Sequence, residues 1–530
     1  MTQNLLRRRS TWIVLLISLV LNLGFIATRG GWTSDLGGDP DEAAHAVTSL
    51  MVRDYLAEGW GKSPLAFANQ YYADFPKVAL GHYPPGFYLV AGLWLLPWAS
   101  VQSLLILQSL LAAGLAALTY RVASKLMSMP AAFIAGFLIS LLPVCLKQNQ
   151  LIMSDTLMVL LSVLAAVSWK DYLNRPSLRR VAGFGLLATA AILTKGSAMA
   201  LCVIPPLTTM LCGRWSLLKK MSWWFSAVPV ALVAGPWMLY SSKITAEGMI
   251  HVPLREFVPA ALAFYAHELP RTIGILLTVL AVAGIALLLK TSRSHRRDSA
   301  LSAAVVCMLA GTGLIILLIP AGLESRYLLP ALPALLVGAM LAADRVCQRL
   351  RPYRAVGLAA ILTVGIGENA KIPSKEVHGF GSAVTKSLPN YANNQTTRWL
   401  VASDPRGEGA VIAAAAFGCP QRAPSLLRVY RGSKELASSD WLGRGYQSTF
   451  ASTAQLLEKL DKLQITRVFV DLSVPPERQQ PHERHLLSAM QSAEGRWRLD
   501  FEQPVTRRPG ETGVLHVYQR TLPAPTNAQN

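Results

Sequence analysis

The stretch Tyr83-Pro-Pro-Gly-Phe-Tyr-Leu-Val-Ala-Gly-Leu-Trp-Leu-Leu-Pro-Trp98 decides the fold, because whether it crosses a membrane sets the side on which all later segments lie. It is apolar but only 16 residues long, and rich in proline, glycine and aromatic side chains. A helix needs about 17 to 25 apolar residues to cross a bilayer, so this segment reads as an interfacial helix. Longer apolar runs surround it, near 12–28, 101–122, 130–146, 153–169, 222–240, 270–289, 300–319, 326–343 and 354–369. A hairpin over 181–212, turning at Leu193-Thr194-Lys195-Gly196, supplies two further spans. With 83–98 in the interface, 20 Lys and Arg, Arg7-Arg8-Arg9 among them, fall on one side of the membrane, against 6 in the short loops on the other. That excess marks the cytoplasmic side. The expectation is about 11 spans, with the N-terminus cytoplasmic and the C-terminus periplasmic or extracellular.

Composition agrees. The 530 residues are 52% apolar and 15% charged, with a mean hydropathy of +0.36, outside the soluble range. In a soluble chain the net charge of +20 would suggest nucleic acid, but here the basic residues sit between apolar runs and face membrane lipids, so no nucleic-acid partner is implied. Five of six cysteines (Cys145, Cys202, Cys212, Cys307, Cys347) lie in or beside apolar segments, leaving Cys419 alone; no disulfide framework or CxxC metal site follows. The first apolar run has a basic start but no A-x-A site after it, so it reads as a retained first helix.

After Ile372-Pro373 the chain turns polar. Ala410–Ala416, Leu426–Tyr430, Val468–Asp471 and Val514–Tyr518 read as strands, Thr453–Leu463 as an amphipathic helix, and Leu522–Asn530 as a disordered tail. The expected fold class is an α-helical polytopic membrane protein with an interfacial helix and a small C-terminal α/β extracytoplasmic domain. The domains are 1–370, with a first outer loop at 29–100, and 371–530.

Chemistry concentrates in that loop, where Gly38-Asp39-Pro40-Asp41-Glu42-Ala43-Ala44-His45 opens a helical pattern to about Leu56. A purely local reading explains most of it: Asp39 as N-cap, Pro40 at the first position, and Glu42 closing a capping box. Asp41 is surplus to the cap and one turn from His45 on the same face. It reads as a general base. The same pair has the spacing to ligate a divalent cation, but no third ligand lies nearby in sequence. Ser154-Asp155 reads as a helix cap, Lys195-Gly196 as a helix end and Arg326 as a snorkelling arginine. By the topology above these converge with Asp39, His82, His267, Glu268 and Arg271 on one membrane face, where ionisable groups default to functional roles.

Asp41-Glu42 after the first span, Tyr83-Pro84-Pro85, Ser154-Asp155, Leu193-Thr194-Lys195-Gly196 and Arg326-Tyr327-Leu328-Leu329-Pro330, in this order, resemble the GT-C glycosyltransferases of the protein mannosyltransferase and lipid A aminoarabinose transferase type. The resemblance covers about residues 5–345. It implies a polyprenyl-phosphate sugar as donor, a lipid, glycan or protein acceptor on the outer face, and an inverting displacement in a cell inner (cytoplasmic) membrane. Asp41 would match the family's catalytic acid, with Glu42 beside it, and Asp155 a second acid. Lys195 and Arg326 would hold the donor phosphate. Where many relatives carry Lys before the Pro-Pro pair, this chain has Tyr83 preceded by His82. No cofactor or resident metal is assigned. Two other classes fit the same charges: a lipid or sugar transporter, and a non-catalytic membrane scaffold.

Overall fold

The computed structural model describes residues 2–79, 81–294, 298–349, 353–367, 374–388, 396–419, 426–440, 443–493 and 495–521. Arg296, Arg297 and Arg351 of the basic loops, the polar turn at Ile372-Pro373 and the tail from Leu522 lie outside them. The described residues fall into two compact units: those within Met1–Ile26, Gly81–Phe87 and Ile106–Pro373, and those within Ala27–Leu80, Tyr88–Leu105 and Ser374–Asn530.

The first unit is helical. Among the described residues six helices are long and apolar enough to cross a membrane: Arg7–Thr28, Val101–Ala123, Asp155–Asn174, Ile275–Ser292, Ser299–Leu318 and Ser325–Arg349. Met129–Leu141 and Pro143–Asn149 form a pair bent by 54°. Pro143 lacks the N–H that would carry the helix on. Arg7–Thr28 exposes Trp12, Leu16 and Val20, as a lipid-facing helix must, because no water competes for its surface. Helices elsewhere pack closely: a Cβ on Gly284 would meet the backbone of Gly338 at 1.8 Å, so only glycine lets Ile275–Ser292 and Leu332–Arg349 touch here. Trp169 is fully buried, its indole N–H donating to Thr208 Oγ1 at 2.7 Å. The chain is a multi-pass membrane protein.

Two expected spans have different limits. The run 222–240 is divided among Met221–Trp224, a π-helical turn Val230–Ala234 and Gly235–Glu247, as Pro229 and Pro236 interrupt the hydrogen-bond ladder. The run 270–289 begins at Ile275, because Gly274 adopts φ +90 and separates it from a further helix, Leu254–Ile273. The segment 83–98 holds one short helix, Gly86–Leu95. The hairpin turns where expected, between Leu178–Thr194 and Gly196–Leu211.

The second unit centres on strands β1 (Thr397–Ala402), β2 (Leu427–Arg431), β5 (Arg467–Asp471), β6 (Trp497–Arg508) and β7 (Glu511–Arg520), with a small two-stranded ribbon of β3 (Ala437–Ser438) and β4 (Gln447–Ser448). The main sheet runs β2-β1-β5-β7-β6, with β2, β1 and β5 parallel and β7 and β6 antiparallel. Helices Pro405–Gly418, Thr453–Lys462 and Pro481–Ser492 accompany it. Ala410–Ala416, expected as a strand, belongs to the Pro405–Gly418 helix. Asp404 caps it by accepting from the N–H groups of Arg406 and Gly407, Pro405 occupies the first turn, and the alanines favour the helix. The helix is buried nearly all round, which erases the period that would have revealed it.

Candidate functional site

In the second unit, helix Glu42–Glu58 starts two residues later than the cap at Asp39 requires. Asp39 Oδ1 accepts the Asp41 N–H at 3.0 Å, and Glu42 reaches back to the Gly38 N–H at 3.0 Å instead of closing a box with Asp39. Asp41 takes the N-cap position without a side-chain capping bond, and it is half-buried. Glu42 is wholly buried, and its other oxygen accepts from Lys375 Nζ at 2.6 Å. Burial raises the Glu42 carboxyl above its ordinary value, opposed by the charge and hydrogen bond of Lys375. Lys375 is a partner that sequence spacing could not reveal, 333 positions away.

His45, one turn after Asp41, is also buried, and its Nδ1 lies 2.9 Å from Tyr88 Oη. Thr48 Oγ1 accepts the Ala79 N–H at 2.9 Å, fixing the returning limb of the loop against the helix. On that limb Lys77 donates to the Pro405 carbonyl at 3.1 Å. Burial, reinforced by Arg431, lowers the Lys77 ammonium to about 7, although Glu408, Asp41 and Asp404 pull the other way. Lys77 carried no motif and was not singled out from sequence.

In the first unit, Asp155 opens its helix and is buried. Ser154 holds the cap position without a side-chain capping bond. Lys195 Nζ donates to Asp155 Oδ1 at 2.6 Å, and Gln148 Nε2 donates to Oδ2 at 3.3 Å. Lys195 can reach because it ends the Leu178–Thr194 helix with an extended backbone. Its ammonium lies 5.6 Å from the centre of the Tyr327 ring, and the Arg326 guanidinium lies 5.7 Å from the same ring. Arg326 Nη2 donates to Glu324 Oε1 at 3.1 Å, and its Nε lies 2.7 Å from Glu324 Oε2 as an ion pair. Asp155, Lys195 and Arg326 thus gather round Tyr327. His82 and Tyr83 are half-buried in the turn before Gly86–Leu95, where Gly81 at φ +81 makes the bend. Asp41 and Glu42 belong to the other unit.

Among the described residues no group of three or more His, Cys, Asp or Glu is arranged to hold a metal ion. The first unit therefore offers two cations and one buried acid around an aromatic ring; the second offers a half-buried acid at a helix start whose neighbour is locked in an ion pair.

No family model matches the sequence, and no curated protein matches it. Solved structures do. The apo structure of ArnT from Cupriavidus metallidurans is similar over 98% of this chain and 97% of its own, with a TM-score of 0.54 and 14% identity. The apo oligosaccharyltransferase of Archaeoglobus fulgidus is similar over 87% of this chain and 69% of its own, with a TM-score of 0.55 and 12% identity. The same archaeal protein, AglB, in complex with an inhibitory peptide and a dolichol-phosphate gives a TM-score of 0.53 at 13% identity. The fold, a polytopic helical bundle with a small sheet domain, is shared with these structures.

Proposed function

We propose that this chain is a glycosyltransferase that moves a sugar from a polyprenyl-phosphate donor to a lipid, glycan or protein acceptor on the outer face of the inner membrane. The observation that supports it most is the gathering of Lys195 and Arg326 on one aromatic ring, each with its own carboxylate, on a GT-C fold. Lys195 is fixed by a buried acid, whereas Glu324, the partner of Arg326, is 44% exposed in its side chain. Because Glu324 reaches solvent while Arg326 is largely covered, a lipid phosphate can replace Glu324 on Arg326 while Asp155 keeps Lys195 aimed. Arginine offers the planar fork that phosphate oxygens fit, and lysine adds a point charge.

Asp41, half-buried at the start of the first outer-loop helix and without a side-chain capping bond there, is assigned the role of general base. It accepts the acceptor's hydroxyl proton as that oxygen bonds to the anomeric carbon; the bond from that carbon to the phosphate oxygen breaks, and the polyprenyl phosphate leaves with the electron pair. Developing charge on the leaving phosphate is stabilised by Lys195 and Arg326. Glu42 supports Asp41 through the loop, fastened by Lys375 and Gly38. His82 and Tyr83 are assigned to the donor's path. The AglB structure carries a dolichol-phosphate, a polyprenyl phosphate of the class proposed here.

A panel of radiolabelled polyprenyl-phosphate sugars, supplied to the purified protein with membrane extract, tests the reading. Consumption of one donor with label appearing in a second molecule is the expected result. A protein that moves labelled lipid between leaflets without consuming any donor is a transporter instead.

A further inference from the structure

The second unit contains a shallow cleft, open to solvent, lined by Gly37, Val377, Phe380, Gly407 and the arginines Arg406, Arg507 and Arg508. Three arginines round one small space are an expense in electrostatic free energy unless anions answer them. Arg507 is answered: it is buried and pairs with both Asp404 and Asp471, the two acids at the ends of β1 and β5. Arg508 is not closely paired, its carboxylate partner Glu511 lying at 3.8 Å and engaged with Arg478 at 2.9 Å.

Arg406 is half-buried, and its guanidinium makes no ion pair or side-chain hydrogen bond among the described residues. Burial and the charges of Arg508 and Arg507 weaken its hold on its proton, while Asp39 and Asp404 pull the other way. Arginine nevertheless stays charged at any ordinary pH. The N–H groups of Arg406 and Gly407 at the helix start are already taken by Asp404. The donors left facing the cleft are therefore guanidinium groups, whose planar forks match the oxygens of a phosphate or carboxylate.

We propose that this cleft binds an anionic oxygen group, phosphate or carboxylate, carried by the acceptor substrate, with Arg406 and Arg508 as its donors. The word acceptor rests on the glycosyltransferase reading; the binding of an anion does not. Position supports the link. Gly37 lines the cleft and stands two residues before Asp39, which is within electrostatic reach of Arg406 and accepts the Asp41 N–H. A side chain at Gly37 would press on Val377 at 3.0 Å, so glycine is what lets the loop approach the arginine helix.

The test is isothermal titration of the full-length protein in nanodiscs with inorganic phosphate and with succinate, at constant ionic strength and with chloride as reference. At least one of the two binds more tightly than chloride, and Arg406→Gln and Arg508→Gln each weaken it about fivefold or more, with Arg406→Lys retaining part of the affinity. Unchanged thermal midpoints in the variants show that the fold is kept. Nanodiscs containing phosphatidate in place of phosphatidylcholine distinguish the source: competition with the soluble anion points to a lipid-borne group, and its absence to a soluble one. Affinity no greater than for chloride, or equal affinity in wild type and both glutamine variants, overturns the proposal. The readout is equilibrium binding, so it stands or falls apart from any glycosyl transfer.

Discussion

Lys375 Nζ donates to Glu42 Oε1 at 2.6 Å, a buried bond between residues 333 positions apart. Removing one partner of such a pair leaves an uncompensated buried charge, whereas replacing both with apolar groups does not. Lys375→Met is therefore expected to destabilise the protein by about 3 to 5 kcal/mol, and the double variant Lys375→Met, Glu42→Leu by less. Thermal or denaturant unfolding in detergent compares them. Equal loss in single and double variants would show that the pair is a packing feature only.

Lys195 and Arg326 share one ring, and the donor-phosphate reading makes a kinetic prediction for each. Arg326→Lys keeps the charge but loses the fork, so the donor KM should rise on the order of tenfold, with a smaller fall in kcat. Lys195→Ala should lower both kcat and kcat/KM, because the leaving phosphate gains charge in the transition state. Steady-state kinetics over donor concentration separates the two. A rise in KM for the acceptor with donor kinetics untouched would move these residues to the acceptor's site.

Glu483 supplies a pH prediction. Burial, reinforced by Glu408, Asp471 and Asp404, pushes its carboxyl up to about 8 against an ordinary 4.5, in spite of the Gln480 N–H it accepts. The native state then binds more protons than the unfolded chain between those two values. Its contribution to stability is fully present below about 4.5 and is lost as pH rises through about 8. Thermal midpoints measured across that window should fall with pH more steeply in wild type than in Glu483→Gln. Parallel profiles would mean that Glu483 is ionised throughout.

Much of the membrane part was legible because apolar length is a strong signal: the helices Val101–Ala123, Asp155–Asn174 and Ser299–Leu318 lie where hydropathy puts them. Pro229, Pro236 and Gly274 moved the limits of two other segments, since backbone hydrogen bonding, not hydropathy, ends a helix. Ala410–Ala416 misled because a helix buried on every side has no polar face to display its period. Strand β6 escaped notice for the opposite reason: Arg498, Leu499 and Asp500 are all exposed, and no apolar alternation marks the run. Motif residues near in meaning but far in sequence, Asp155 with Lys195, could be named but not joined; the structure joins them at 2.6 Å. Lys375 and Lys77 belong to no motif, and only the folded chain shows that their charges are buried beside Glu42 and the Pro405 carbonyl.

The central claim is that Asp41 is the base of a glycosyl transfer. The direct measurement is single-turnover transfer from the consumed polyprenyl-phosphate donor by wild type and Asp41→Asn, with thermal midpoints recorded for both. The account predicts a rate lower by about 10² to 10⁴ in the variant, with donor binding and thermal midpoint unchanged. Transfer by Asp41→Asn at the wild-type rate would contradict it.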